Sequence, residues 1–314
     1  MDESERTVTM SALIELLGYA GAAAALVATL IAVEQADGLG DVGGLLVALA
    51  ITAVLVGVGL AIPHDSPDAF RRMHSVLWFA AAIAWGITVD QFLTSVVELD
   101  PQGDVRGILI GTVTTTGAAI LWLRLPRSLQ LIALFGTTVG TLSALIELTA
   151  EGFQPADPTT TAIVFWVFGV AWGLTSDRAM VRPLRTGLVL GTLTAVIAPY
   201  GIAVPTGFEI PSETTITVAA VWSFATSALA LAFGTVRGDR AVQGIAIVGV
   251  IIGTGVIVGN NFTESDAATI VALVVGLALL GTALMAIRVA RASSRPADGV
   301  PPSAPPPPPP PSTA

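Results

Sequence analysis

With 53% hydrophobic and only 12% charged residues over 314 positions, and a mean hydropathy of +0.80, the chain falls outside the ordinary soluble class, where about a quarter of residues are charged. A net charge of −9 without a clustered basic face excludes a nucleic-acid-binding surface, and the absence of Cys excludes disulfides and thiolate metal sites. Unpaired backbone groups are costly in hydrocarbon and the apolar runs show no alternation of period two, so the expected fold is all-α, a polytopic transmembrane helical bundle.

Residues 1–10 form a polar segment in which Arg6 faces three acids, and the first span covers 11–33. Ala22 to Ala25 resembles a signal-peptidase site. The leader lacks a net positive charge and the apolar run continues past it, so the stretch reads as a retained span. Further spans are expected near 42–62, 74–97, 107–123, 129–149, 160–176, 182–204, 215–236, 242–260 and 267–288, which makes about ten helices. Ser66 and Pro67 look like the N-cap and first position of the third helix.

Arginine sets the orientation. Arg71, Arg72, Arg124, Arg127, Arg178, Arg182, Arg185, Arg237 and Arg240 fall in one set of loops, and the other set holds Arg106 alone. The positive-inside rule therefore places both termini in the cytoplasm and the chain in the cell membrane. The transmembrane domain is expected over 11–291, with a Pro-rich disordered tail at 292–314. Pro305 to Pro311 would form a polyproline II rod of about 22 Å, at about 3.1 Å per residue, suited to a protein partner with an aromatic-lined groove.

Two internal similarities compete. Ala84-Trp85-Gly86 through Asp90 matches Ala171-Trp172-Gly173 through Asp177, in helices of opposite direction. Trp172-Gly173 through Ala179 matches Phe233-Gly234 through Ala241, in helices of the same direction. The second agrees with the topology and reads as a repeat of helical hairpins.

Asp90 is the one carboxylate well inside a span. A charge there costs at least about 2.5–3.5 kcal/mol on insertion scales, so it should face protein or water. Trp78, Ala82, Gly86, Asp90 and Thr94 follow at intervals of four on one helix face. Thr115 and Thr116 on the fourth helix, with Thr137 and Thr141 on the fifth, lie at comparable depth, and together these residues outline a substrate or ion path. Pro199 and Tyr200 add a break in the seventh helix of the kind carriers use. Glu15 and Glu147 lie close to span edges and carry less weight.

GxxxG pairs at Gly136/Gly140, Gly169/Gly173, Gly187/Gly191, Gly249/Gly253 and Gly255/Gly259 speak for close helix packing and leave homo-oligomerisation open. His64 and His74 lack a supporting second cluster, and the Asn261-Phe262-Thr263 sequon lies too close to the bilayer for ready glycosylation. No catalytic residue, metal site or cofactor is expected.

The acidic, lysine-free composition resembles that of haloarchaeal membrane proteins. Ten helices in about 300 residues with both termini inside resemble, in outline, the drug/metabolite transporter superfamily, which implies a small-solute carrier; the five-plus-five repeat of that superfamily is missing. The alternative is a non-catalytic membrane subunit or scaffold of a larger complex, held together by Gly-rich packing and reaching a partner through its tail.

Overall fold

The computed structural model describes residues 3–34, 41–62, 68–98, 104–148, 157–204 and 211–261. They form α1 (Glu3–Glu34), α2 (Asp41–Ala61), α3 (Asp68–Ser95), α4 (Asp104–Arg124), α5 (Ser128–Leu148), α6 (Pro158–Asp177), α7 (Leu184–Ile197), a 3-10 turn (Ala198–Ala203), α8 (Glu213–Arg237) and α9 (Arg240–Asn261). The chain divides into one compact unit over Met1–Ile257 and a second from Val258 onward, most of which lies outside the described residues. The expected tenth span, the Pro-rich tail, Pro205, His64 and the N-cap residues Ser66 and Pro67 also lie outside them.

Eight of the described helices, α2 to α9 with the 3-10 turn completing α7, are long and apolar enough to cross a membrane; α1 carries a shorter apolar stretch, Leu16–Ile31. The short fourth and sixth spans read from the sequence are full helices. Helix α1 is continuous from Glu3, and its apolar stretch begins at Leu16. Large apolar side chains such as Leu60, Leu123 and Leu229, 66%, 71% and 71% exposed, face outward, as lipid rather than water would permit.

Helix α3 lies at the middle of the amino-terminal part. Half of its span is buried, and it packs against α1, α2, α4 and α5. Small residues make this possible: Ala80, Ala81 and Ala84 meet Ala22 of α1 and Leu55 of α2. In the carboxy-terminal part the tightest crossing is α6 on α7. A Cβ on Gly169 would sit 2.6 Å from the Ala195 nitrogen, and one on Gly191 2.5 Å from the Gly173 nitrogen, so here backbone lies against backbone.

Local chemistry fixes the helix ends. Asp157 caps α6 ahead of Pro158, and its carboxyl is held below the ordinary range, chiefly by the Thr160 hydroxyl and then by the Thr160 and Thr159 N–H groups. That contribution is present at neutral pH and is lost as pH falls through the depressed value. Ser212 caps α8, accepting from the Thr215 N–H at 3.1 Å. Gly238, with φ of 68°, ends α8 in the left-handed conformation, and Asp239 caps α9 through the Ala241 and Val242 N–H groups. The Gly238-Asp239-Arg240 turn is thus a C-cap joined directly to an N-cap.

Candidate functional site

The structure distributes the residues of the expected path over three places. At the first, near the end of α3, Asp90 is engaged by Arg106 in the first turn of α4. The Arg106 Nε donates to Asp90 Oδ1 at 2.9 Å, and its Nη2 donates to the same oxygen. The arginine side chain is 14% exposed and the aspartate 34%. The threonines of α4 and α5 are not partners of this carboxylate, and the Thr94 hydroxyl donates to the Asp90 carbonyl instead, at 2.9 Å.

The second place is the α4–α5 seam. Thr115 and Thr141 share a hydrogen bond of 3.0 Å, and Gly111 lets the two helices approach, because a Cβ there would lie 2.8 Å from the Thr141 Cα. Thr137 donates to the Ala133 carbonyl of its own helix, and Thr116 is turned outward with its hydroxyl on the Thr112 carbonyl. Such back-bonding to the preceding turn satisfies a hydroxyl in hydrocarbon without any ligand.

The third place is the break in the seventh span. The α-helix ends at Ile197 and continues as a 3-10 turn containing Pro199 and Tyr200, packed against α6 and α8. Pro199 cannot donate to the carbonyl one turn back, which accounts for the change in winding. It is fully buried, and the Tyr200 hydroxyl is buried with no hydrogen-bond partner, as is the Trp172 indole nitrogen of α6.

Two buried polar contacts were not anticipated from the sequence. Gln130, 1% exposed, forms a closed pair with Ser75: the serine hydroxyl donates to Gln130 Oε1 at 2.9 Å, and Gln130 Nε2 donates to the Ser75 carbonyl at 2.8 Å. Thr52 and Thr88 join α2 to α3 at 3.1 Å. A lone Gln between two leucines near a helix start was the available signal for the first; threonines abound in these spans, and nothing marked the second.

Chemically, a carboxylate bonded to a guanidinium is a clamp that joins α3 to α4. Across the carboxy-terminal part, Trp166 donates to Thr226 at 3.0 Å, and Ser223 donates to the Val196 carbonyl at 2.8 Å. Phe135, Phe168 and Trp172 stack with centroids 5.1 to 5.4 Å apart. Among the described residues no group of three or more His, Cys, Asp or Glu side chains is placed to hold a metal ion.

Apolar helices of membrane-crossing length, threonine and serine hydroxyls bonded back within or between helices, and an apolar exterior define a polytopic helical membrane protein. The fold is shared with a chain of a structure titled "MycP5-free ESX-5 inner membrane complex, State II". The similarity covers 91% of this chain and 76% of that one, with a TM-score of 0.55 and 18% identity. No family model and no curated protein matches the sequence.

Proposed function

We propose that the protein is a non-catalytic subunit or scaffold of a larger assembly in the cell membrane. The observation that carries this reading is the fold shared, over 91% of the chain, with a component of an inner membrane complex. Two features of the molecule support it. The carboxylate on which a proton- or ion-coupled carrier would depend is paired with Arg106, and the helix contacts are of the tight, small-residue kind that builds a rigid frame.

The test is the state of the full-length chain in its own membrane. After mild detergent extraction of an affinity-tagged chromosomal copy, the protein is expected in a discrete particle well above its own 32.0 kDa plus detergent, with a fixed ratio of partner subunits. Loss of the gene is expected to deplete those partners from the membrane. The reading fails if the chain runs alone and, in liposomes under an imposed gradient, carries proton or sodium flux that Asp90→Asn abolishes. That pair of results would restore the small-solute carrier.

A further inference from the structure

The turn between α6 and α7 carries positive charge that the described residues leave unbalanced. Arg178 and Arg182 stand in the turn and Arg185 in the first turn of α7, with Arg240 on the neighbouring α8–α9 turn, and all four are exposed. Among the described residues none of these guanidinium groups has a hydrogen bond or an ion pair. The two carboxylates of these turns are already engaged: Asp177 by Arg237, and Asp239 by the Ala241 and Val242 N–H groups. Because the Asp177–Arg237 contact joins the end of α6 to the end of α8, the four free charges lie along one stretch of the rim.

The turn is held in one shape. The N–H groups of Arg178, Ala179 and Met180 donate to the carbonyls of Leu174, Ser176 and Thr175 at 3.1, 2.9 and 3.1 Å, and Ala179 takes the left-handed conformation, φ 59°, in which Gly238 ends α8. The Trp122 indole of α4 donates to the Arg182 carbonyl at 2.5 Å and pins the far side of the turn. Met180 is thereby presented outward, 69% exposed. The apolar spans on either side end at Asp177 and begin again at Leu184, so Met180 stands beyond both. An apolar side chain among guanidinium groups has the make-up of a protein interface, where Met and Arg are enriched. Lipid phosphates would meet the charges and leave the thioether uncovered, whereas a protein segment carrying carboxylates around an apolar residue covers both.

Resting on the reading of the chain as a subunit of an assembly, we propose that this rim docks an acidic segment from the water-exposed part of a partner subunit, with Met180 under its apolar residue and Arg178, Arg182, Arg185 and Arg240 on its carboxylates. Four unpaired positive charges with no free negative one beside them call for an acidic occupant, and the prefixed turn lowers the entropy lost on docking. By the positive-inside rule the partner segment lies on the cytoplasmic side.

The chain has no Cys, so Met180→Cys in the full-length protein reports on this surface through its rate of reaction with a membrane-impermeant maleimide. In open fragments of the native membrane, where the reagent reaches both faces, it should react several-fold more slowly than after purification in detergent. Salt near 1 M, where the screening length is about 3 Å, should restore the fast rate in the fragments. Arg178→Gln and Arg182→Gln, each added to Met180→Cys, should raise the rate in the fragments by up to about fivefold and leave the melting temperature unchanged, since neither guanidinium has a partner to lose. Arg178→Lys should keep most of the protection. Equal rates in fragments and purified protein overturn the docking surface; the assembly reading survives that result if the chain still runs in a large particle, and both fall if it runs alone. Protection that salt and the arginine variants leave unchanged overturns the acidic partner. Slow reaction of the purified variant in liposomes of phosphatidylcholine with phosphatidylglycerol, but not in phosphatidylcholine alone, overturns the protein partner in favour of anionic lipid.

Discussion

Ala84–Asp90 and Ala171–Asp177 begin with the same three residues and place an aspartate four positions after the glycine, yet they do different things. In the first copy, Trp85 lies against Gly117 and Gly86 against the Thr114 methyl, so side chains fill the α3–α4 seam; Asp90 then closes on Arg106, largely away from solvent. In the second copy the α6–α7 seam is backbone on backbone. Its aspartate, the last residue of α6, reaches the end of α8 to meet Arg237, whose side chain is 54% exposed. Depth and the nature of the facing helix set what the motif is worth. Seams filled by side chains can adjust to a small change, while seams made of backbone cannot.

The largest effect is therefore expected at Gly191. A methyl there would sit 2.5 Å from the Gly173 nitrogen and 2.7 Å from the Gly169 oxygen, atoms that move only if a helix moves. Gly191→Ala should cost about 1–3 kcal/mol by overpacking, and Gly191→Leu more, read as a lower denaturation midpoint in detergent. Gly173→Ala provides the contrast. Nothing lies within 4 Å of its Cβ position, and alanine is the better helix former, so the variant should be neutral or up to about 1 kcal/mol more stable. A tolerated Gly191→Ala would mean that the two seams are equally soft.

Next in size is the Asp90–Arg106 pair. Arg106→Leu strands the Asp90 carboxylate in a place only 34% open to solvent, and Asp90→Leu strands the more deeply buried Arg106. Either should lower stability by about 1–3 kcal/mol, the usual penalty for a partly buried polar group without its partner. The replacement of both by leucine should recover much of the loss, because the pair itself contributes little beyond satisfying its two charges. A double variant as damaged as the singles would show that the contact also orients α4.

How far the sequence disclosed this can be traced residue by residue. Apolar run length gave the helical class and the span order, because hydrocarbon leaves the backbone few choices. The Asp90–Arg106 pair was missed for a specific reason. A hydropathy window sheds charged residues at its ends, so the fourth span was drawn from 107 and Arg106 was assigned to the outer loop, whereas the helix begins at Asp104. The GxxxG pairs were visible, but their use was not. Gly169 and Gly191 lie on backbone and Gly249 and Gly253 on α8, while Gly136, Gly140, Gly255 and Gly259 have nothing within 4 Å of the Cβ position. Sequence spacing places such residues on one face of a helix, and only the neighbouring helix determines whether that face is used.

The smallest effect is expected at the rim, and it tests the role of depth most directly. Asp177 and Arg237 are joined by a hydrogen bond of 2.5 Å, but the guanidinium is mostly exposed and also lies over the Phe233 ring, 5.9 Å from its centroid. Asp177→Asn keeps the shape and an acceptor, and the arginine keeps water and the ring, so the loss should stay within about 1 kcal/mol. A double-mutant cycle with Arg237→Gln isolates the coupling from these side contacts. At the rim it should be below about 1 kcal/mol and should vanish as salt is raised toward molar concentration, where the screening length shrinks to about 3 Å. The same cycle on Asp90 and Arg106 should give a larger coupling that salt hardly alters, since ions reach that pair poorly. If instead the rim coupling persists in high salt and matches that of Asp90 and Arg106, depth is not what separates the two copies of the motif.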